Sequence, residues 1–141
     1  MAKQKISKNV KTVLDVLRDE VGGNVEAALR KLTNDYSMTW VYVGKRGKLF
    51  PRTGKNMPKE LGETYLIKDR RYDIKNLAEG KDVVMVEMIE SYADPKTRQK
   101  YRTPLVIVLE MKRGKIRKGR HYCDPRLSYL HLTEKQVKRA F

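Results

Sequence analysis

One cysteine, Cys123, in 141 residues excludes an internal disulfide and any metal site built from several thiolates. A lone thiol fits a reducing compartment, so the cytoplasm is the expected location. Only two histidines are present, and no His-rich, Cys-x-x-Cys or carboxylate cluster has metal-ligand spacing, so no metal is implied. Walker and dinucleotide glycine fingerprints are also missing, and no cofactor is expected. The longest apolar runs, Val83–Val86 and Leu105–Leu109, fall far short of the roughly 18 residues a membrane span needs. The basic start MAKQKISKNVK leads into no apolar h-region, so no signal peptide and no membrane association are read. Acid is scarce: 17 Asp and Glu face 32 Lys and Arg, and the net charge of +15 raises nucleic acid as a candidate partner without bearing on the fold.

The length suits one domain, 1–141, with residues 1–8 as a flexible basic tail. Val10, Val13, Leu14, Leu17 and Val21 follow helical spacing until Gly22-Gly23 stops the pattern. Asn24 can cap a second helix with apolar positions Val25, Ala28, Leu29 and Leu32, ending near Thr33-Asn34. Met38–Val43, rich in aromatic and β-branched residues, reads as a strand. Residues 44–59 carry six basic residues and no acid and read as a long solvated connection, followed by a helical turn around Lys59–Leu66. Arg71–Ala78, Val83–Tyr92, Thr103–Met111 and Ile116–Cys123 then form a meander of strands joined by polar turns. The sum is an α+β domain with helices on one side of a curved, mostly antiparallel sheet. Thr133–Gln136 resembles a capping motif, but only Val137 and Phe141 follow as apolar residues, so this tail is expected to fray.

Two helices before an aromatic strand, then VVMVEMIES, LVIVLEM and RGKIRKGRHYCDP, resemble the SnoaL-like branch of the nuclear transport factor two superfamily, relatives of ketosteroid isomerase and limonene epoxide hydrolase. The residues that carry the resemblance are Glu87 in an apolar strand, the turn Gly114-Lys115-Ile116, and Tyr122-Cys123-Asp124 at the end of the last strand. It implies a cone-shaped cystatin-like α+β roll, a homodimer, and a hydrophobic small molecule held inside the cone. The epoxide hydrolases place an Arg-x-Asp pair where this chain has Glu87-Met88-Ile89. Their triad is therefore incomplete, and the resemblance implies the single-carboxylate acid/base chemistry of the isomerase-like and cyclase-like relatives.

Asp124 shares strand parity with Tyr122 and Arg120, while His121 and Cys123 point the other way. With the first face lining the cone, Asp124 is the candidate general acid or base, and an apolar pocket would raise its pKa toward neutrality. The plain alternative is that Asp124-Pro125 only ends the strand in a turn. Glu87 shares parity with Val83, Met85 and Ile89 and is the second candidate catalytic carboxylate, against the alternative of an ion pair with Arg120 or Arg102. Among the aromatics, Trp40 and Tyr122 lead as pocket residues, with Tyr65 and Arg120 beside them; Tyr36, Tyr42 and Tyr72 could also line a pocket. His121 and Cys123 lack a third orienting group, which argues against a thiol–imidazole nucleophile.

Two further readings remain open. One is a non-catalytic binding or dimerisation module on the same fold, which a plugged pocket would support. The other is a basic nucleic-acid-associated protein. The stretches at 3–11, 44–59, 96–102 and 112–120 hold 20 of the 32 cations, yet a meander puts its alternate turns at opposite ends of the sheet. Without a recognition motif, that charge predicts only non-specific association with nucleic acid at low salt.

Overall fold

The apolar runs pair into one five-stranded sheet, described by a computed structural model that covers residues 5–54 and 56–141. The strands are β1 (Leu32–Trp40), β2 (Arg71–Gly80), β3 (Val83–Ala93), β4 (Lys100–Lys112) and β5 (Lys115–Tyr122), in the order β1-β5-β4-β3-β2. The β2–β3–β4–β5 meander is antiparallel, and β1 joins β5 in parallel. Register shifts interrupt the pairing of β1, β2 and β5 with their neighbours, and such bulges bend a sheet instead of leaving it flat. The expected curved α+β architecture is therefore present.

Helix α1 (Lys8–Gly22) lies across the concave face and buries Val13 and Leu17 against Val84, Val86, Ile107, Leu109 and Ile116 of the sheet. Ser7 caps it by accepting from the Val10 amide at 3.0 Å, and the Ser7 hydroxyl donates to Glu79 on β2. Lys8 already opens the helix, and residues 1–4 of the expected basic tail lie outside the described residues. Gly23 ends α1 at φ 72°, a left-handed turn that glycine adopts without a Cβ clash.

Four segments differ from the sequence reading. Helix α2 (Val25–Leu29) is shorter, because Leu32 leaves the helical face to pair with Ile116, while the Ile116 amide donates to the Lys31 carbonyl. Strand β1 consequently starts earlier and ends at Trp40. The 44–59 connection is not simply solvated, since it folds back along the free edge of β1. The Trp40 amide donates to Pro51 O at 2.8 Å, Thr53 N donates to Met38 O at 3.0 Å, and Thr53 Oγ1 accepts from Met38 N. An edge strand with its hydrogen bonds so used is protected from pairing with another chain. Helix α3 (Met57–Thr64) follows, capped by Asn56. The C-terminal segment does not fray either: α4 (Pro125–Ser128) leads to α5 (Glu134–Lys138), where Thr133 and Gln136 form a reciprocal capping box and Val137 is only 4% exposed.

Gly119 on β5 is needed for close approach. A Cβ there would lie 2.6 Å from Met38 Cε and 3.2 Å from Leu109 Cδ2. Gly119→Val is expected to lower unfolding stability by about 1–3 kcal/mol through overpacking, read from the midpoint of urea denaturation. An unchanged midpoint would show that the Met38 side chain simply moves aside.

Candidate functional site

The open side of the cone is roofed by α1 and α3, which leaves a cavity of 210 Å³ between helices and sheet. Its apolar wall comes from Leu17, Met38, Met88, Leu105 and Ile107, with Trp40 at one end. Alternation fixes this set. On β3 the even positions Val84, Val86, Met88 and Glu90 face inward, on β4 the odd positions do, and on β5 Gly119 and His121 do.

Four polar side chains form a connected row in this wall. Tyr72 Oη donates to Glu20 at 3.0 Å, Arg70 Nη1 lies 3.5 Å from Tyr72 Oη, and Arg70 forms a 2.5 Å ion pair with Glu90. Arg70 also lies 5.1 Å over the Tyr92 ring and reaches the Thr64 carbonyl. Its side chain is only 8% exposed, so these partners rather than solvent compensate the charge, and its Nε is left buried without a partner among the described residues. Glu20 has no cation of its own. Burial pushes its carboxyl up to about 7, against a smaller opposing pull from the Tyr72 hydroxyl and Arg70. Burial also holds the Tyr72 phenol well above its ordinary value, so it remains a donor. His121 lies on the same cavity wall with its pKa lowered, first by burial, which favours the neutral imidazole with one donor and one acceptor nitrogen. A carboxyl pushed up toward neutrality on the wall of a cavity that also holds a neutral imidazole can take a proton from a bound molecule and return it.

Of the candidate pocket residues, Trp40, Tyr36 and Tyr72 line the cavity. Asp124 does not. It caps α4, accepts from the Arg126 amide at 3.0 Å and grips the Arg126 guanidinium through both carboxylate oxygens; those bonds hold its pKa below the usual value. Glu87 sits on the convex face, where Asn76 Nδ2 donates to it at 2.6 Å. Arg120 is on that face too, paired with Glu110, and Tyr122 is 41% exposed opposite Val106. Tyr65 is buried at the end of α3, outside the cavity lining. The physical reason for these displacements is that β3 and β5 are apolar or mixed on both parities. The parity containing Glu87 and that containing Asp124 both turned outward, bringing Glu90 and His121 inside.

The sequence does not single out Glu20, Arg70 and Glu90 as site residues, and Tyr72 enters only among the aromatics that could line a pocket. Glu20 had a visible signal, because with Val13 and Leu17 it forms an i, i+4, i+7 stripe, an apolar helix face that ends in a carboxylate. No comparable signal separates Arg70 from Arg71, which is exposed and paired with Asp73 and Glu134. Among the described residues no group of three or more His, Cys, Asp or Glu side chains could hold a metal ion, and no helix is long and apolar enough to cross a membrane.

No family model matches the chain, and no curated protein matches it in sequence. Solved structures do match in shape. An epoxide hydrolase of M. tuberculosis, described as similar to limonene epoxide hydrolase, superposes with a TM-score of 0.70 at 16% identity, over 94% of this chain and 95% of its own. SalBIII, an epoxide hydrolase/cyclase-like enzyme of pyran ring formation in salinomycin, matches with a TM-score of 0.67 at 18% identity, over 84% and 92%. A SnoaL-like polyketide cyclase candidate from Jannaschia matches with a TM-score of 0.69 at 13% identity, over 94% and 99%. The chain therefore shares the fold of these structures, a curved sheet with helices packed on one side.

Proposed function

We propose that the protein is an acid/base enzyme of the isomerase or cyclase kind, acting on a small hydrophobic, carbonyl-bearing molecule, with Glu20 as the proton carrier. The observation that carries this reading is the half-buried Glu20 carboxyl on the wall of a mostly apolar cavity, hydrogen-bonded by Tyr72, where desolvation pushes it up to about 7. In its ionised form Glu20 removes a proton from the carbon next to the carbonyl, and the electron pair passes to the carbonyl oxygen. His121 donates to that oxygen, and Glu20 returns the proton at the same carbon, or at the far end of the dienolate where a double bond is conjugated with the carbonyl. Tyr72 orients the carboxyl, and the Arg70–Glu90 pair orients Tyr72. The structural neighbours support this class of chemistry by fold, while the reaction rests on the cavity itself.

The test needs no knowledge of the natural substrate. The protein is mixed with 2-tetralone in D2O, and deuterium uptake at C1 is followed by NMR. Catalysed exchange is expected, with kcat/KM rising through a single ionisation near pH 7 to a plateau, because the free carboxylate is the active form. Exchange at the buffer rate at every pH would overturn the reading.

A further inference from the structure

The connection after β1 carries a finger that the core does not use. Across residues 42–50 the Phe50 amide donates to the Tyr42 carbonyl at 3.1 Å, the Gly44 amide donates to the Lys48 carbonyl at 2.7 Å, and Val43 bridges Leu49. Bridged partners project from one face of a hairpin, so Val43 and Leu49 stand side by side, 59% and 64% exposed. Phe50 follows, 54% exposed and at φ 49°, a left-handed conformation that costs a bulky residue energy. Little burial is gained in return. Apolar residues exposed singly need no explanation, but three large ones within eight positions form a patch. Between Val43 and Leu49 lie Lys45, Arg46 and Lys48, all exposed and unpaired with any carboxylate among the described residues. The finger itself contains no acid.

The finger also borders an opening. Tyr42 and Lys45 line a cleft of 380 Å³ that shares Trp40, Glu90 and His121 with the inner cavity, and the same cleft is lined by Tyr129, which is exposed together with its neighbour Leu130. A second copy is a poor occupant, because it would bring two cation clusters together in a chain of net charge +15. A nucleic acid would answer the cations but leave Val43 and Leu49 in water. An anionic lipid surface answers both features: its headgroups attract the cations, and its acyl boundary takes apolar side chains without needing a groove of matching shape. We propose that the 42–50 finger docks the protein on an anionic bilayer, with Val43, Leu49 and Phe50 entering the acyl boundary and Lys45, Arg46 and Lys48 at the headgroups. Short apolar runs, the ground for expecting no membrane association, exclude a span but not a finger that reaches only the surface. Docking also brings the Lys45 rim of the cleft to the lipid, a source of apolar molecules; that supply route rests on the acid/base reading above, whereas the docking rests on the finger alone.

The full chain is sedimented with vesicles of phosphatidylcholine and phosphatidylglycerol in a ratio of about 2:1, and with pure phosphatidylcholine, at about 0.15 M salt, where charges beyond about 8 Å are screened. The mixed vesicles are expected to bind about a hundredfold more tightly than the neutral ones, from about fivefold for each of three cations at the surface. The double variant Leu49→Ser, Phe50→Ser keeps every charge and should weaken that binding about tenfold or more, with an unchanged melting temperature showing that it is folded. The triple variant Lys112→Ser, Arg113→Ser, Lys115→Ser removes three cations at the other end of β5 and should weaken it less than about threefold. Equal losses in the two variants would reduce the effect to net charge and overturn the proposal, as would a wild type that leaves the mixed vesicles unbound. Light scattering and binding of a single-stranded oligonucleotide cover the other occupants: a dimer, or an oligonucleotide complex, that the Leu49→Ser, Phe50→Ser variant abolishes would overturn lipid docking in favour of that partner. Deuterium exchange on 2-tetralone by a protein that ignores the vesicles would remove the docking and leave the role of Glu20 standing.

Discussion

Glu20→Gln is expected to lose at least a hundredfold in 2-tetralone exchange and yet to be more stable than the wild type at pH 8. The amide keeps the size of the carboxyl and an oxygen to accept from Tyr72, but it cannot take a proton, and removing a positioned acid or base typically costs about 10²–10⁴ in rate. The stability gain follows from the same group. The Glu20 carboxyl is raised in the folded protein from 4.5 to about 7, so the fold favours its protonated form. That contribution is fully present below about pH 4.5, declines as pH rises, and is gone above about 7. At pH 8 the wild type therefore carries a destabilising buried charge that the glutamine lacks, a difference on the order of 2 kcal/mol. Thermal melts at pH 4 and pH 8 should show the two proteins converging in acid and diverging in base. A variant that keeps its exchange rate, or whose melting temperature follows the wild type at both pH values, would remove Glu20 from the chemistry. Inactivity joined to greater stability is hard to produce by misfolding, which gives the measurement its force.

Arg70→Met should be the most damaging single substitution to the fold. It removes the cation that compensates Glu90 and leaves a carboxylate unpaired at the cavity wall, for which a cost of about 3–5 kcal/mol and a fall in melting temperature of about 10 °C or more are expected. The loss also acts on the site, since the Arg70 charge pulls the Glu20 carboxyl down, so any residual exchange should need a higher pH than in the wild type. Pairing it with Glu90→Leu should restore much of the stability, because the stranded charge is then absent. If Arg70→Met alone melts within a few degrees of the wild type, the Arg70–Glu90 pair contributes little and the row from Glu90 to Glu20 is not held by it.

The sheet was legible because β4 and β3 are long apolar runs separated by polar turns, and their observed pairing departs from the expected limits by only a few residues. Leu32 was harder, since an apolar residue four after Ala28 fits a helix as well as a strand, and its pairing with Ile116 decided the matter. The 44–59 connection hid its order for a similar reason: its hydrogen bonds to β1 run through backbone groups, which composition does not reveal. For the site, alternation separates Asp124 from His121 but does not say which set faces the helices. That choice is made by the side on which α1 docks, a long-range contact with no local signature.

One consequence follows from where Glu20 sits. The strands supply the walls, the aromatic end and the neutral imidazole, whereas the proton carrier rides on α1, beyond the sheet's hydrogen-bond ladder. Reagent and vessel are separate parts. The vessel can keep its shape while the one position Glu20 is rewritten, so a change of chemistry in this cone needs no change in the sheet, provided Val13 and Leu17 keep α1 seated on it.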